Sequence, residues 1–317
     1  MAEITEVSFS ILYLITVIVA LAGNALLIYI VWKKLRKRNV TSFLFVNMGV
    51  ADLLIAVIQM PASIATFLFR FQVPCTIVFF VVLVSTSASI FCLTVMAFDR
   101  YYAVVYPFRG SIWFRKPKII MPVVWFASIA LMSVELFSFK FAHGSCYFDD
   151  TFMSPLALFT FVLVINYLLP LAIISILYII VAGKLWLHEM PEDDETRVHQ
   201  RQQKISKKKV IRMLIIVVAV FAVCWLPVHV FLMDVLIKMD LSKWPPFLVY
   251  FCYWLSQANS AINPWLYIGL DEKMKAAFTK KVQCCRARNL RQEKSSVGSK
   301  TRSLTTFTKR SLLETKL

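Results

Sequence analysis

Charge is scarce in this chain: Asp, Glu, Lys and Arg make up only 17% of its 317 residues, against 59% hydrophobic residues and a mean hydropathy of +0.69. That balance excludes an ordinary soluble globular domain, in which about a quarter of residues are charged. Histidine is scarcer still. The four, His143, His188, His199 and His229, fall in four different segments, and with no nucleophile and base or metal cluster in the spans an intramembrane enzyme has no catalytic set. The repeated halves and multiple buried charges of a transporter are also missing. The first ten residues hold Glu3 and Glu6 but no Lys, Arg or cleavage pattern. No removable signal peptide is therefore expected, and the first span serves as its own anchor.

What the chain has instead is a set of long apolar runs. About 20 such residues cross the roughly 30 Å of bilayer hydrocarbon as a helix, the only open-ended form that satisfies its own backbone there. Seven qualify: Ile11 to Trp32, Ser42 to Phe69, Thr76 to Val105, Ile119 to Phe139, Phe152 to Leu187, Val210 to Ile237 and Pro246 to Leu270. The expected fold is an all-α membrane protein, a seven-transmembrane helix bundle. Of the 35 Lys and Arg residues, only Arg70, Lys140, Lys238 and Lys243 lie in the loops on one side. The bias puts the N-terminus outside the cell and the C-terminus in the cytoplasm, in a multi-pass protein of the plasma membrane. The net charge of +17 then describes a surface facing the anionic inner leaflet, with no call for nucleic acid. The organisation reads as a short extracellular N-terminus (1–10), the bundle (11–270), a short amphipathic eighth helix on the cytoplasmic side (271–285) and a disordered tail (286–317).

Cys75 and Cys146 both face the oxidising side and form the predicted disulfide. Cys92, Cys224 and Cys252 read as small core residues. Cys284 and Cys285 follow a basic amphipathic stretch, where palmitoylation would pin the eighth helix to the inner leaflet; two unmodified thiols are the alternative.

An ionisable side chain in mid-bilayer costs at least ~2.5 kcal/mol, which makes a functional role the default. Asp52 is the carboxylate at that depth, and Ser89, Asn259, Ser260 and Asn263 are hydroxyls and amides of other spans. Hard oxygens around one carboxylate suit a small cation such as sodium, with Asp52 and Ser89 as metal ligands; a protonated Asp in a hydrogen-bond network is the alternative. Prolines interrupt the later spans at Pro170, Pro227 and Pro264, each a place where a helix can bend. At the inner end of the third span stands Asp99-Arg100-Tyr101, an adjacent acid and base at the edge of the hydrocarbon.

Taken together, Gly23-Asn24, Asp52, Asp99-Arg100-Tyr101, Trp125, Cys224-Trp225-Leu226-Pro227 and Asn263-Pro264 with Tyr267, each in order on its own span, resemble a rhodopsin-like (class A) G-protein-coupled receptor over nearly the whole chain. Gln59-Met60-Pro61 and Ala258-Asn259-Ser260 are most similar to the neuropeptide-receptor group. The resemblance implies that an extracellular ligand, a neuropeptide or other small peptide, promotes nucleotide exchange on a heterotrimeric G protein. A receptor for a non-peptide amine-like or lipid molecule, an orphan constitutively active receptor and, more distantly, a transporter are the alternatives. The relay it implies runs through Ile90, Pro170, Phe221, Trp225, Pro227, Asn263 and Pro264. Arg100 then leaves Asp99 and meets Tyr178 and Tyr267, beside Phe108, the second-loop contact for the G protein. The acid that many members carry near the inner end of helix six is replaced by Lys207, which implies appreciable basal activity.

Amine receptors of this family place an Asp eighteen residues before the Arg of the switch, where this chain has Val82; opsins place a Lys where it has Gln257. Helical spacing gathers Val82, Thr86, His229, Tyr253 and Gln257 as candidate pocket residues, while Glu135 counts among the acids of the outer rim. No resident cofactor is expected beyond sodium as an allosteric modulator. The tail, with Ser295, Ser296, Thr301, Ser303, Thr305, Thr306 and Thr308, would bind arrestin after phosphorylation by a receptor kinase, and membrane lipid is the remaining partner.

Overall fold

The computed structural model describes residues 2–34, 40–69, 74–106, 116–142, 145–187, 194–272, 274–281 and 283. Phe108, Cys284, Cys285 and the tail lie outside the described residues. Among those described, α1 (Ala2–Tyr29) ends in a π turn at Ile30–Lys34, and α2 (Val40–Leu54) passes through a second, Ile55–Gln59, before resuming at Met60–Phe69. Next come α3 (Cys75–Val105), α4 (Pro117–Met132) with a further turn at Glu135–Ser138, and a hairpin of β1 (Phe139–Ala142) and β2 (Ser145–Phe148). α5 (Pro155–Leu163) crosses a third π turn, Val164–Leu168, and continues over Leu169–Leu187; α6 (Asp194–Lys238) and α7 (Pro246–Leu270) complete the bundle. A short helix, α8 (274–281), follows, with the Asp271 carboxylate accepting from the Met274 N–H at 2.9 Å.

Six of these helices are apolar and long enough to cross a membrane on composition alone. α7 falls short because it carries Ser256, Gln257, Asn259, Ser260 and Asn263, yet all five are between 2% and 4% exposed. Its polarity is turned inward, and its 25 residues still rise about 37 Å. α3 is the central pillar, packing against α2, α4, α5 and α6, while α1 closes the ring by packing between α2 and α7.

The structure adds two features to the sequence reading. Helix already begins at Ala2, ahead of the apolar run that starts at Ile11, and Phe9 packs on Phe247 and Tyr250 with ring centroids 5.5 and 5.8 Å apart. Within the all-α bundle the α4 to α5 connection is a short hairpin in register Phe139↔Phe148 and Phe141↔Cys146, which the sequence reading did not include. The Cys75–Cys146 disulfide, with Cα atoms 6.0 Å apart, fastens it to the start of α3. The Thr76 hydroxyl donates to the Phe139 carbonyl at 2.8 Å, and the Phe79, Phe139 and Phe148 rings meet edge to face. The Lys140 ammonium beside Asp149 holds that carboxyl down at about 2. This ion pair is complete above the ordinary carboxylate range and is lost only as pH falls toward 2.

Two of the π turns have a cause in the sequence. Each stands immediately before a proline, Pro61 or Pro170, whose missing N–H leaves the helix one bond short. The residue before each proline compensates by reaching back five positions, Met60 N–H to the Ile55 carbonyl and Leu169 N–H to that of Val164. The extra residue in the turn rotates Gln59, Asn166 and Tyr167 relative to a regular helix.

Buried amides cross-link the bundle where lipid tails supply no hydrophobic drive. Asn24 donates to the Ser260 carbonyl at 3.0 Å, joining α1 to α7. Asn47 accepts from the Trp125 indole at 2.6 Å and donates to Cys92 Sγ at 2.9 Å, joining α2, α4 and α3. Asn166 accepts from the Ser87 hydroxyl at 2.7 Å, and the Tyr167 hydroxyl donates to the Ala222 carbonyl at 2.9 Å.

Gly23 sets how closely α1 approaches α7. A Cβ at this position would lie 2.7 Å from Pro264 Cγ and 3.1 Å from Trp265 Nε1, whereas one at Gly49 would find its nearest neighbour at 3.4 Å. Gly23→Ala is therefore expected to destabilise the bundle by about 1–3 kcal/mol through overpacking against a rigid ring. Gly49→Ala should be neutral or gain from helix propensity, worth up to about 1 kcal/mol. Thermal unfolding of the two purified variants reads the contrast, and equal stability would refute the close approach.

Candidate functional site

The five residues expected to form a pocket do line one cavity. Val82 and Thr86 come from α3, His229 from α6, and Tyr253 and Gln257 from α7, around a space of about 440 Å³. Trp225 of α6 borders the same space, and Phe79, Phe139 and Phe148 carry the hairpin's apolar rings to it. Three wall residues are ones that helical spacing alone did not find. Gln59 and Asn166 belong to the π turns of α2 and α5, which turn them inward; the signal was Pro61 and Pro170 two and four residues on. The third is Glu135. Counted with the outer rim by its position at the end of the fourth span, it is 1% exposed and lines the cavity, because the turn Glu135–Ser138 folds back over the bundle.

Below the cavity an aromatic column continues along α6. His229 lies 6.0 Å from Trp225, Trp225 stacks on Phe221 at 6.0 Å, and Phe221 stacks on Tyr167 at 6.5 Å. Ile90, fully buried, belongs to the same apolar core as Phe221 and Trp225. Pro170 is buried on α5 just beyond Tyr167, and Pro227 lies two residues beyond Trp225 in α6.

Asp52, 1% exposed on α2, accepts from Asn263 Nδ2 of α7 at 3.2 Å. Ser85 Oγ, Ser89 Oγ, Asn24 Oδ1, Asn259 Oδ1 and Asn263 Oδ1 are buried with no hydrogen-bond partner among the described residues. A carboxylate with several hydroxyl and amide oxygens is a hard, anionic donor set, which fits a small alkali cation and not a soft transition metal. The described residues hold no cluster of three or more His, Cys, Asp or Glu that would suit the latter.

At the opposite end of α3 from the disulfide, Arg100 Nη2 binds Asp99 Oδ2 at 2.5 Å and the Thr41 hydroxyl at the start of α2. Tyr101 does not share in this; its ring packs with Tyr102 and Tyr106. Tyr178 and Tyr267 do not touch Arg100 here. The Tyr178 hydroxyl is buried without a partner, while Tyr267 stacks on Phe45 at 4.4 Å and donates to Met48 Sδ at 3.5 Å. No carboxylate of α6 reaches Arg100 among the described residues. Lys207 is exposed, and Lys209 pairs instead with Glu272 beyond α7. Thr41, Arg100, Lys209, Met213 and Glu272 border a second cavity, of about 240 Å³. No motif or spacing singles out Thr41 as the other holder of Arg100.

A family model described as 7 transmembrane receptor (rhodopsin family) matches residues 23–267. Tachykinin-like peptides receptor 86C of Drosophila melanogaster is 28% identical over 301 residues, 87% of this chain and 59% of that protein. The Substance-P receptor of Rattus norvegicus is 28% identical over 86% of this chain and 70% of its own length. The rat Neuromedin-K receptor is 29% identical over 87% and 64%. This chain thus spans less than two thirds of the length of the Drosophila receptor. The family match runs from the glycine at the α1–α7 contact to the tyrosine stacked on Phe45, taking in every wall residue of the larger cavity, and the chain belongs to the rhodopsin family of seven-transmembrane receptors.

Proposed function

We propose that this chain is a plasma-membrane receptor that a small peptide activates, with the start of α1 and the hairpin extracellular and α8 cytoplasmic. Activation promotes nucleotide exchange on a heterotrimeric G protein. The observation that carries the reading is the single cavity at the disulfide-bonded end, bounded by Val82, Thr86, His229, Tyr253 and Gln257, with Trp225 connecting it to the column along α6. Similarity to receptors named for tachykinin-like peptides, Substance P and neuromedin K supports a peptide as ligand. The Lys and Arg distribution supports the orientation.

In this reading the structure corresponds to the resting state. Arg100 is tied to Asp99 and Thr41, both on the α2–α3 side, so α6 is held by apolar packing and by the exposed Lys209–Glu272 pair, and exposed pairs contribute little. Outward movement of α6 at Pro227 frees Arg100 toward Tyr178 and Tyr267, opening the cytoplasmic cavity to the G protein. Phe108 supplies an apolar contact there. Phosphorylation of the tail by a receptor kinase recruits arrestin, and acylated Cys284 and Cys285 hold α8 against lipid.

Sodium is the proposed allosteric ligand of the Asp52 site, with oxygens of Ser89, Asn259, Ser260 and Asn263 completing its shell. A bound cation neutralises Asp52 and bridges α2, α3 and α7, which favours the closed bundle.

Arg100→Ala is expected to keep peptide binding and folding and to lower peptide-stimulated exchange more than tenfold on purified G protein, tested with a panel of tachykinin-like peptides. Full signalling in that variant would overturn the switch, and activation by amines with none by peptides would overturn the ligand class. In the same assay without ligand, exchange above that of the G protein alone is expected, and Lys207→Glu should reduce it. For the ion, sodium chloride should raise the melting temperature over choline chloride at equal ionic strength. Asp52→Asn should remove the difference; a sodium effect that survives the substitution would place the ion elsewhere.

A further inference from the structure

A group of unpartnered polar atoms collects around the ligand cavity. Gln59 Oε1, Thr86 Oγ1, Glu135 Oε1, Gln257 Oε1 and Trp225 Nε1 are all buried without a hydrogen-bond partner among the described residues, and all five side chains border this one space. Four of the five atoms are oxygens, and the carboxylate and carboxamide oxygens among them can only accept. Among the described residues, the cavity walls contain no Lys or Arg. The cavity therefore offers acceptors in excess and asks for a ligand rich in N–H.

Glu135 is the sharpest case. The buried carboxylate of Asp52 has Asn263, and that of Asp99 has Arg100. Glu135, equally buried at 1% exposure, lacks even one cationic neighbour in the cavity walls. Removing a carboxylate from water is unfavourable unless a positive charge and hydrogen bonds replace the lost hydration. Its apolar surroundings, with Phe139 and Phe148 among them, would strengthen any ion pair formed there. With Val82 in the wall, α3 brings no carboxylate to this space, and Glu135 brings one from the turn that follows α4.

We propose that Glu135 is the counter-ion of the ligand pocket and binds a cationic N–H donor of the ligand, a guanidinium or primary ammonium from a basic side chain or a free amino terminus. The inference rests on reading the cavity as the ligand site. Desolvated charge pairs of this kind carry a large part of recognition, because each partner is unsatisfied without the other.

The test uses the purified full chain with two probes of one shape, 4-phenylbutylguanidinium and its neutral isostere 4-phenylbutylurea. Unfolding is followed by dye labelling of the buried thiols Cys92, Cys224 and Cys252. The cation should raise the melting temperature saturably, with an apparent affinity at least about tenfold above that of the urea. Glu135→Gln, which keeps shape and hydrogen bonding but not charge, should bring that preference to about one. Glu135→Met, an apolar group of similar volume, should do the same and provides a second fold-competent variant if the amide is not tolerated. Equal binding of the two probes to the wild type, or a preference that persists in either variant, would overturn the assignment. Exchange assays separate this from the peptide reading. Peptides that activate wild type and Glu135→Gln equally would remove the counter-ion but keep the peptide ligand; cation binding without activation by any peptide would uphold the counter-ion and remove the peptide.

Discussion

Hydrocarbon gives a peptide group nothing to bond to, and nearly everything in this molecule follows from that one constraint. It makes each crossing a helix, turns the polar face of α7 inward, and makes every proline in a span a local problem that the backbone must solve. At Pro61 and Pro170 the solution is a π turn, and the extra residue in each turn presents Gln59 or Asn166 to the ligand cavity. A defect in the helix ladder thus becomes a means of aiming side chains that a regular helix would point elsewhere.

The same constraint sorts the buried polar side chains into two kinds. Asn47, Asn166, Tyr167 and the amide nitrogen of Asn24 are paired across helices and act as cross-links. Many of the unpaired atoms lie in the cavity wall, and others are hydroxyl and amide oxygens of α1, α3 and α7 such as Asn24 Oδ1, Ser89 Oγ and Asn263 Oδ1. Because an unpaired buried group is costly, such clusters persist where something outside the chain can satisfy them. The two clusters differ in character. The oxygens of α1, α3 and α7 come from helices packed side by side with α2, which carries Asp52, whereas those of the cavity are spread around a space of about 440 Å³.

Much of this was legible in the sequence because it depends on spacing along helices. The spans, the disulfide, the oxygens around Asp52 and five cavity residues all follow from apolar runs, cysteine placement and positions one turn apart. Three features were not legible for a physical reason. The hairpin depends on the disulfide and on Phe79 of α3 meeting Phe139, a contact between segments about sixty residues apart. Glu135 looked like a rim acid because its depth is fixed by a turn after α4 and not by the span itself. Helix at Ala2–Ser10 arises from Phe9 packing on α7, which local hydropathy does not encode. Gln59-Met60-Pro61 is the intermediate case: it was noticed for its likeness to neuropeptide receptors, and its physical content, a π turn that re-aims Gln59, emerged only with the backbone.

The strength with which α6 is held decides how a signal can cross the bundle. At the end of α6 nearest Arg100 the Lys209–Glu272 pair is exposed on both sides and contributes little. At the other end Trp244 donates to Asp234 at 2.9 Å, which braces the helix against its own connection. Between the two, α6 packs along α7, where Phe231 meets Tyr253 edge to face, and the column His229, Trp225, Phe221 and Tyr167, with the Tyr167 bond to the Ala222 carbonyl, ties it to α5. The column begins in the wall of the ligand cavity and ends on α5, and Pro227 interrupts the helix ladder alongside it. Displacing Trp225 would therefore disturb the aromatic tie between α6 and α5 at the point where Pro227 makes the helix easiest to bend. Near Arg100, Ile211 of α6 is buried with Val181 and Leu185 of α5, so movement of that end must also break this apolar contact, which the exposed Lys209–Glu272 pair does little to reinforce.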